Sequence, residues 1–208
     1  MKNLIFIISI TAFLLSSYAQ EADLYLEKGK DHLAAGQYDL AIEEFDKAFS
    51  EDPLNAEVCH SLGLAYAASG DLNQAIAWFK RSIELDSNNP AVYDNLGFAY
   101  TSLGRFKQAI PYFKRSLQLD DENPAVYDNL GFAYASLGEF ELALDYFRKA
   151  LKVSPYYAQA YLSRGIVYYH MGKTAEARAD FERAKKVAQK IGSRKVETES
   201  QEYLQKLP

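Results

Sequence analysis

Asn89-Pro90-Ala91-Val92-Tyr93-Asp94-Asn95-Leu96-Gly97-Phe98-Ala99-Tyr100 recurs without a change as Asn123 to Tyr134. The two copies start 34 residues apart, and the same step runs outward in both directions. Gly29, Gly63, Gly97, Gly131 and Gly165 form one column, and Gly36, Gly70, Gly104, Gly138 and Gly172 follow seven residues behind. Between them stands an aromatic column: His32, Tyr66, Tyr100, Tyr134 and Tyr168. Ala41, Ala75, Ala109, Ala143 and Ala177 come next, and four residues later Phe45, Phe79, Phe113, Phe147 and Phe181. Five columns held over five copies define a repeat, and a period in this range means stacked units rather than one globular core.

Each unit reads as two amphipathic helices, the second glycine series stopping the first of them. Asn89-Pro90 and Asn123-Pro124 have the form of an N-cap followed by a first-turn proline. The first glycine series, the Ala41 column and the small residues Ala48, Ser82, Ser116, Ala150 and Ala184 let paired helices approach closely, while Tyr and Phe fill the space between units. That use explains 16 Tyr and 12 Phe beside a single Trp. Pro111 falls inside a second helix, where it should remove a hydrogen bond or bend the axis.

These columns resemble the tetratricopeptide repeat, whose 34-residue pattern is W-x2-L-G-x2-Y…A-x3-F…P. Leu96-Gly97-x2-Tyr100 carries the middle of that pattern and Ala109-x3-Phe113 the later part. Tyr25, Cys59, Tyr93, Tyr127 and Tyr161 stand in the Trp column. The closing proline is present as Pro53 and Pro155 and replaced by Ser87, Asp121 and Gln189 elsewhere. The resemblance implies an all-α fold, a right-handed superhelical solenoid of antiparallel helix pairs, with units at 22–55, 56–89, 90–123, 124–157 and 158–191. Residues 192–208, with Val196, Tyr203, Leu204 and Leu207 at helical spacing, are expected to form a capping helix.

Met1 to Gln20 has a different character. Lys2 precedes the apolar run Leu4 to Leu15, and Ser17-Tyr18-Ala19 places small residues at −3 and −1 of a cut after Ala19. This is the layout of a signal peptide over 1–19, leaving 20–21 as a short lead into the first unit. It predicts export to a periplasmic or secreted location. The alternative is a retained membrane anchor, against which the run is short of the ~20 apolar residues a span needs. With 49% apolar and 25% charged residues the chain is ordinary for a folded soluble protein. A net charge of −5 and a pI near 5.3 argue against nucleic acid as partner.

Catalysis and cofactors find little support. The units consume nearly all of the chain after residue 21. Cys59 is the single cysteine, in the aromatic column and expected in the core. Cys59-His60 has no third or fourth ligand to make a metal site, so no enzyme, cofactor or metal is expected.

The resemblance instead implies a protein or peptide partner, held by the first helices on the concave face. The residues expected there are Asp94, Asn95, Phe98 and Ser102 in the third unit, Asp128, Asn129, Phe132 and Ser136 in the fourth, and His60 and His170 in the flanking units. Asn95 and Asn129 form a ladder suited to clamping an extended backbone, since an amide both donates and accepts. Phe98 and Phe132 would add apolar contact, and Asp94 and Asp128 would favour a basic ligand. The opposing reading has the asparagines bonded to neighbouring helices or water. The basic clamp for a C-terminal carboxylate in some cytosolic relatives is not present: the corresponding positions hold Leu26 and His60 for lysine, and Lys30 and Leu64 for asparagine. Charge is uneven, with nine acids and three bases in 22–55 against three acids and seven bases in 158–191. The alternative function that this suggests is head-to-tail self-association into a homo-oligomer.

Overall fold

The computed structural model describes residues 20–208, which are helical with no strand among them. The signal-peptide segment lies outside the described residues. In chain order the helices are α1 (20–34), α2 (Tyr38–Glu51), α3 (Ala56–Ser69), α4 (Leu72–Leu85), α5 (Pro90–Ser102), α6 (Phe106–Leu119), α7 (Pro124–Ser136), α8 (Phe140–Val153), α9 (Ala158–His170), α10 (Thr174–Ile191) and α11 (Arg194–Lys206). Gln20 and Glu21 are already helical rather than a separate lead. The helices fall into two compact units, one ending at Ala99 and one running from Tyr100 to Pro208.

Both glycine columns have a physical cause. The second series takes the left-handed conformation that ends the first helix of each pair, with φ from 70° at Gly104 to 94° at Gly70. After four of these glycines the next N–H reaches back to the carbonyl of the aromatic column: Gln37 to His32, Arg105 to Tyr100, Glu139 to Tyr134 and Lys173 to Tyr168, at 2.9–3.0 Å. The aromatic residues therefore both pack and close their helices. The first series is steric. A Cβ on Gly29, Gly63, Gly131 or Gly165 would lie 2.4–2.7 Å from the ring of Phe45, Phe79, Phe147 or Phe181. These four Phe rings lie against the glycine of the partner helix, and all five Phe of the column are buried. Burying each one contributes about 2–3 kcal/mol.

In the first unit, Leu26, Ala41, Phe45, Val58 and Leu62 make one core from α1, α2 and α3. Ser82, in the small-residue column, is buried and donates its hydroxyl to the Ala56 carbonyl at 2.8 Å, tying α4 to the start of α3. Asn55 and Asp71 cap α3 and α4 by accepting backbone N–H bonds. Asn89 and Asn123 do the same at α5 and α7, each accepting from the N–H two residues on at 3.0 Å, with Pro90 and Pro124 in the first turn.

In the second unit, Tyr100 stacks on Tyr112 and Tyr134 on Tyr146, with planes within 6° and centroids 5.4–5.5 Å apart. Pro111 sits inside α6, which runs on as one helix. The proline is exposed, so the missing bond falls on the solvent side, where water can serve the carbonyl. The C-terminal core joins α9, α10 and α11 through Leu162, Phe181, Val187, Val196 and Leu207, and Tyr203 stacks on Phe181 at 5.0 Å. Thus α11 covers the apolar face that α9 and α10 would leave open.

Candidate functional site

On α7 the residues Phe132, Ala135 and Ser136 recur at three and four positions, and on α9 Gln159, Ser163, Ile166, Val167 and His170 do the same. These two stripes face each other. With Phe140 and Phe147 of α8 and Glu199 of α11 they line an open groove of about 390 Å³ in the second unit. Phe132 is 49% exposed, a large apolar surface left to solvent, and its ring meets that of Phe106 edge-on at 6.1 Å. Ser136 and His170 are exposed. The structure thus brings three of the expected site residues, Phe132, Ser136 and His170, to one groove. Phe140, Phe147, Gln159, Val167 and Glu199 were missed. Gln159 and Val167 lie at helical spacing from His170 on α9, the two phenylalanines come from α8 beyond the Gly138 turn, and Glu199 arrives on α11, whose docking no local pattern shows.

Asp128 is a correction. It lies one helical turn before Phe132 on the same stripe, but it is buried, at 5% exposure, and cannot meet a ligand as a surface charge. Its carboxyl bonds to Ser163 of α9, while its Oδ1 finds no protein partner. Burial pushes its pKa up to about 7. The cause is desolvation of the charged form, only partly offset by the serine. Asn129 is half-buried and absent from the groove lining.

In the first unit Asn95 is also committed. Its Nδ2 donates to Nε2 of His60 on α3 at 2.9 Å, as the opposing structural reading expected. Burial lowers the pKa of His60, so its ring is neutral and can accept that bond. Asp94 is half-buried, whereas Phe98 is 55% exposed; Ser102, in the second unit, is exposed. At the positions of the absent carboxylate clamp, Leu26 is buried and Lys30 is paired with Glu27 at 2.7 Å and Glu57 at 2.8 Å. Cys59 is fully buried, and desolvation raises its thiol pKa, which makes it a core residue. Among the described residues no three His, Cys, Asp or Glu side chains converge as metal ligands, and no helix is long and apolar enough to cross a membrane.

The likeness to known proteins follows this geometry. A TPR repeat model matches residues 63–104, and two tetratricopeptide repeat models match 88–155 and 129–192. A crystal structure of MamA protein is 28% identical over 85% of this chain and 96% of that one, with a TM-score of 0.74. A second crystal structure of MamA is 30% identical over 79% and 96%, with a TM-score of 0.73. YrrB, described as a TPR protein with an unusual peptide-binding site, is 19% identical over 86% and 90%, with a TM-score of 0.69, a likeness of fold. No curated protein matches the chain significantly. The chain belongs to the tetratricopeptide-repeat family, and its fold is an all-α solenoid of antiparallel helix pairs. That fold supports protein–protein interaction, and proteins built from it are typically non-catalytic.

Proposed function

We propose that the protein is a non-catalytic scaffold that holds an extended segment of a partner protein in the groove between α7 and α9. The observation that carries this reading is the groove itself: about 390 Å³, lined by the apolar Phe132, Phe140 and Ile166 and the polar Ser136, Gln159 and His170 among others. Apolar walls with a few placed polar groups are what a peptide side chain and backbone require. The peptide-binding site named for the similarly folded YrrB agrees with this use of the fold. The layout of residues 1–19 puts this work outside the cytoplasm, in envelope assembly or a similar task, with cleavage after Ala19.

The test is a pull-down from envelope extract with residues 20–208, beside a Phe132→Ser, Ile166→Ser variant of unchanged helicity. A partner kept by the wild type and lost by the variant supports the reading. A partner retained by both moves the site elsewhere.

A second reading is association through the ends. The first repeat holds nine acids against three bases, of which Lys30 and Lys47 are each paired with two glutamates, while the fifth holds three acids against seven bases. Sedimentation that shows a monomer at all salt concentrations would remove it.

A further inference from the structure

We infer that the α7–α9 groove selects a segment in which an apolar side chain is accompanied by a lysine or arginine, the cation meeting Glu199. This rests on the groove reading above and names the chemistry of its ligand.

Three observations carry it. First, Glu199 is the one carboxylate among the lining residues, and no lysine or arginine lines the groove beside it. Second, its place is set by packing. Its helix is anchored by buried Val196 and Leu207 and by the stacking of Tyr203 on Phe181. Ser200, beside it, is fully buried and donates to the Val196 carbonyl. Third, a second carboxyl lies behind the wall: Asp128, bonded to the lining residue Ser163, with an Oδ1 that has no protein partner. Whatever fraction of it is ionised adds negative potential to the groove.

The positive excess of the fifth repeat does not oppose this. Arg164 is held by Asp180 in two 2.7 Å bonds. The other bases of that repeat belong to α10 or to the turn before it, and none of them lines the groove. A cation entering beside Phe132 and Ile166 would therefore meet Glu199 without a competing lysine or arginine, His170 being the one basic side chain in the lining. Half-buried Glu199 makes such a pair worth up to about fivefold in affinity.

The experiment is fluorescence anisotropy of residues 20–208 with labelled nonapeptides. Each peptide carries one Leu or Phe, and one Lys, Gln or Glu spaced one to four residues away, in a Ser/Gly background. The expected result is that the best Lys peptide binds about fivefold more tightly than its Gln counterpart, with the Glu peptide weakest. That preference should fall below about twofold in Glu199→Gln and reverse in Glu199→Lys, both with wild-type helicity. Equal binding of Lys and Gln peptides, lost in Phe132→Ser, would overturn the inference and leave the groove reading standing. A Lys preference unchanged in Glu199→Gln would overturn it too. No binding of any peptide up to millimolar concentration would overturn both.

Discussion

Asn95 Nδ2 donates to Nε2 of His60 across 2.9 Å, joining α5 to α3 through two side chains that could each have faced a ligand. The bond needs a neutral imidazole, and burial, which lowers the His60 pKa, supplies one. Asn95→Ala should then cost about 1 kcal/mol of stability, and Asn95→Ala with His60→Ala should cost less than the two single changes summed. Urea denaturation of the four proteins measures that coupling, and strict additivity would show the bond to be energetically idle. The pH dependence has a sign. The unfolded histidine takes its proton near 6.5 and the folded one only below that. The contribution of the pair is therefore complete above pH 6.5 and is lost as the pH falls through the folded value.

Asp128 titrates in the opposite sense. Its folded pKa of about 7 lies above the ordinary carboxylate value of 3.8, so the folded state holds the proton more tightly than the unfolded chain. The resulting stability is full below pH 3.8, declines as the pH rises, and is gone once the pH has passed about 7. Asp128→Asn keeps the shape and removes the charge. It should raise the Tm at pH 8 and leave the Tm at pH 4.5 little changed. Equal shifts at both pH values would assign the effect to packing instead of ionisation.

How much of this the sequence carried depends on the range of the interaction. The Gly36 and Gly29 columns declare the turn and the Phe contact because both are local to a helix pair and repeat at every unit. The groove residues Phe132, Ser136 and His170 were legible for the same reason, since 3.6-residue periodicity puts Phe132 and Ser136 on one stripe of α7 and the 34-residue step puts His170 of α9 at the position of Ser136. What failed is the fate of duplicated residues. Asp94 and Asp128 occupy identical twelve-residue segments, yet Asp94 is half-buried and Asp128 buried. The position 35 residues on, which holds Ser163 for Asp128 and Asn95 for His60, belongs to another unit and differs from copy to copy. Glu199 was invisible for a related cause: it reaches the groove from a non-repeating helix.

Gly131 and Gly138 should respond to alanine for different reasons. Alanine in the middle of a helix ordinarily gains about 1 kcal/mol over glycine. At Gly131 the new Cβ would lie 2.7 Å from the Phe147 ring, and overpacking of this kind costs about 1–3 kcal/mol, so a net loss is expected. Adding Phe147→Leu should then hurt less in the Gly131→Ala background than in the wild type. Gly138→Ala meets nothing within 4 Å, but at φ 79° it is strained by about 1–2 kcal/mol, and no change at Phe147 should relieve it. Thermal melts of wild type, the three single variants and the two double variants separate the two mechanisms.

Arg164 and Asp180 break the repeat pattern together. Arg164 stands where Leu62, Leu96 and Leu130 stand in the second, third and fourth units, and Asp180 where Trp78, Tyr112 and Tyr146 do, whereas the first unit holds Lys28 and Glu44. Arg164 Nε donates to Asp180 Oδ2 and Nη2 to Oδ1, both at 2.7 Å, with side chains 18% and 8% exposed. Such a pair is held by geometry, and its attraction is largely offset by the desolvation of both charges. Arg164→Leu alone strands a buried carboxylate and should cost about 3–5 kcal/mol. Arg164→Leu with Asp180→Tyr restores the residue types of the fourth unit and should return stability to within about 1 kcal/mol of wild type or above it. Chemical denaturation decides the matter: if the double variant is as unstable as the single one, the fifth unit needs the ion pair for its packing and the repeat pattern cannot replace it.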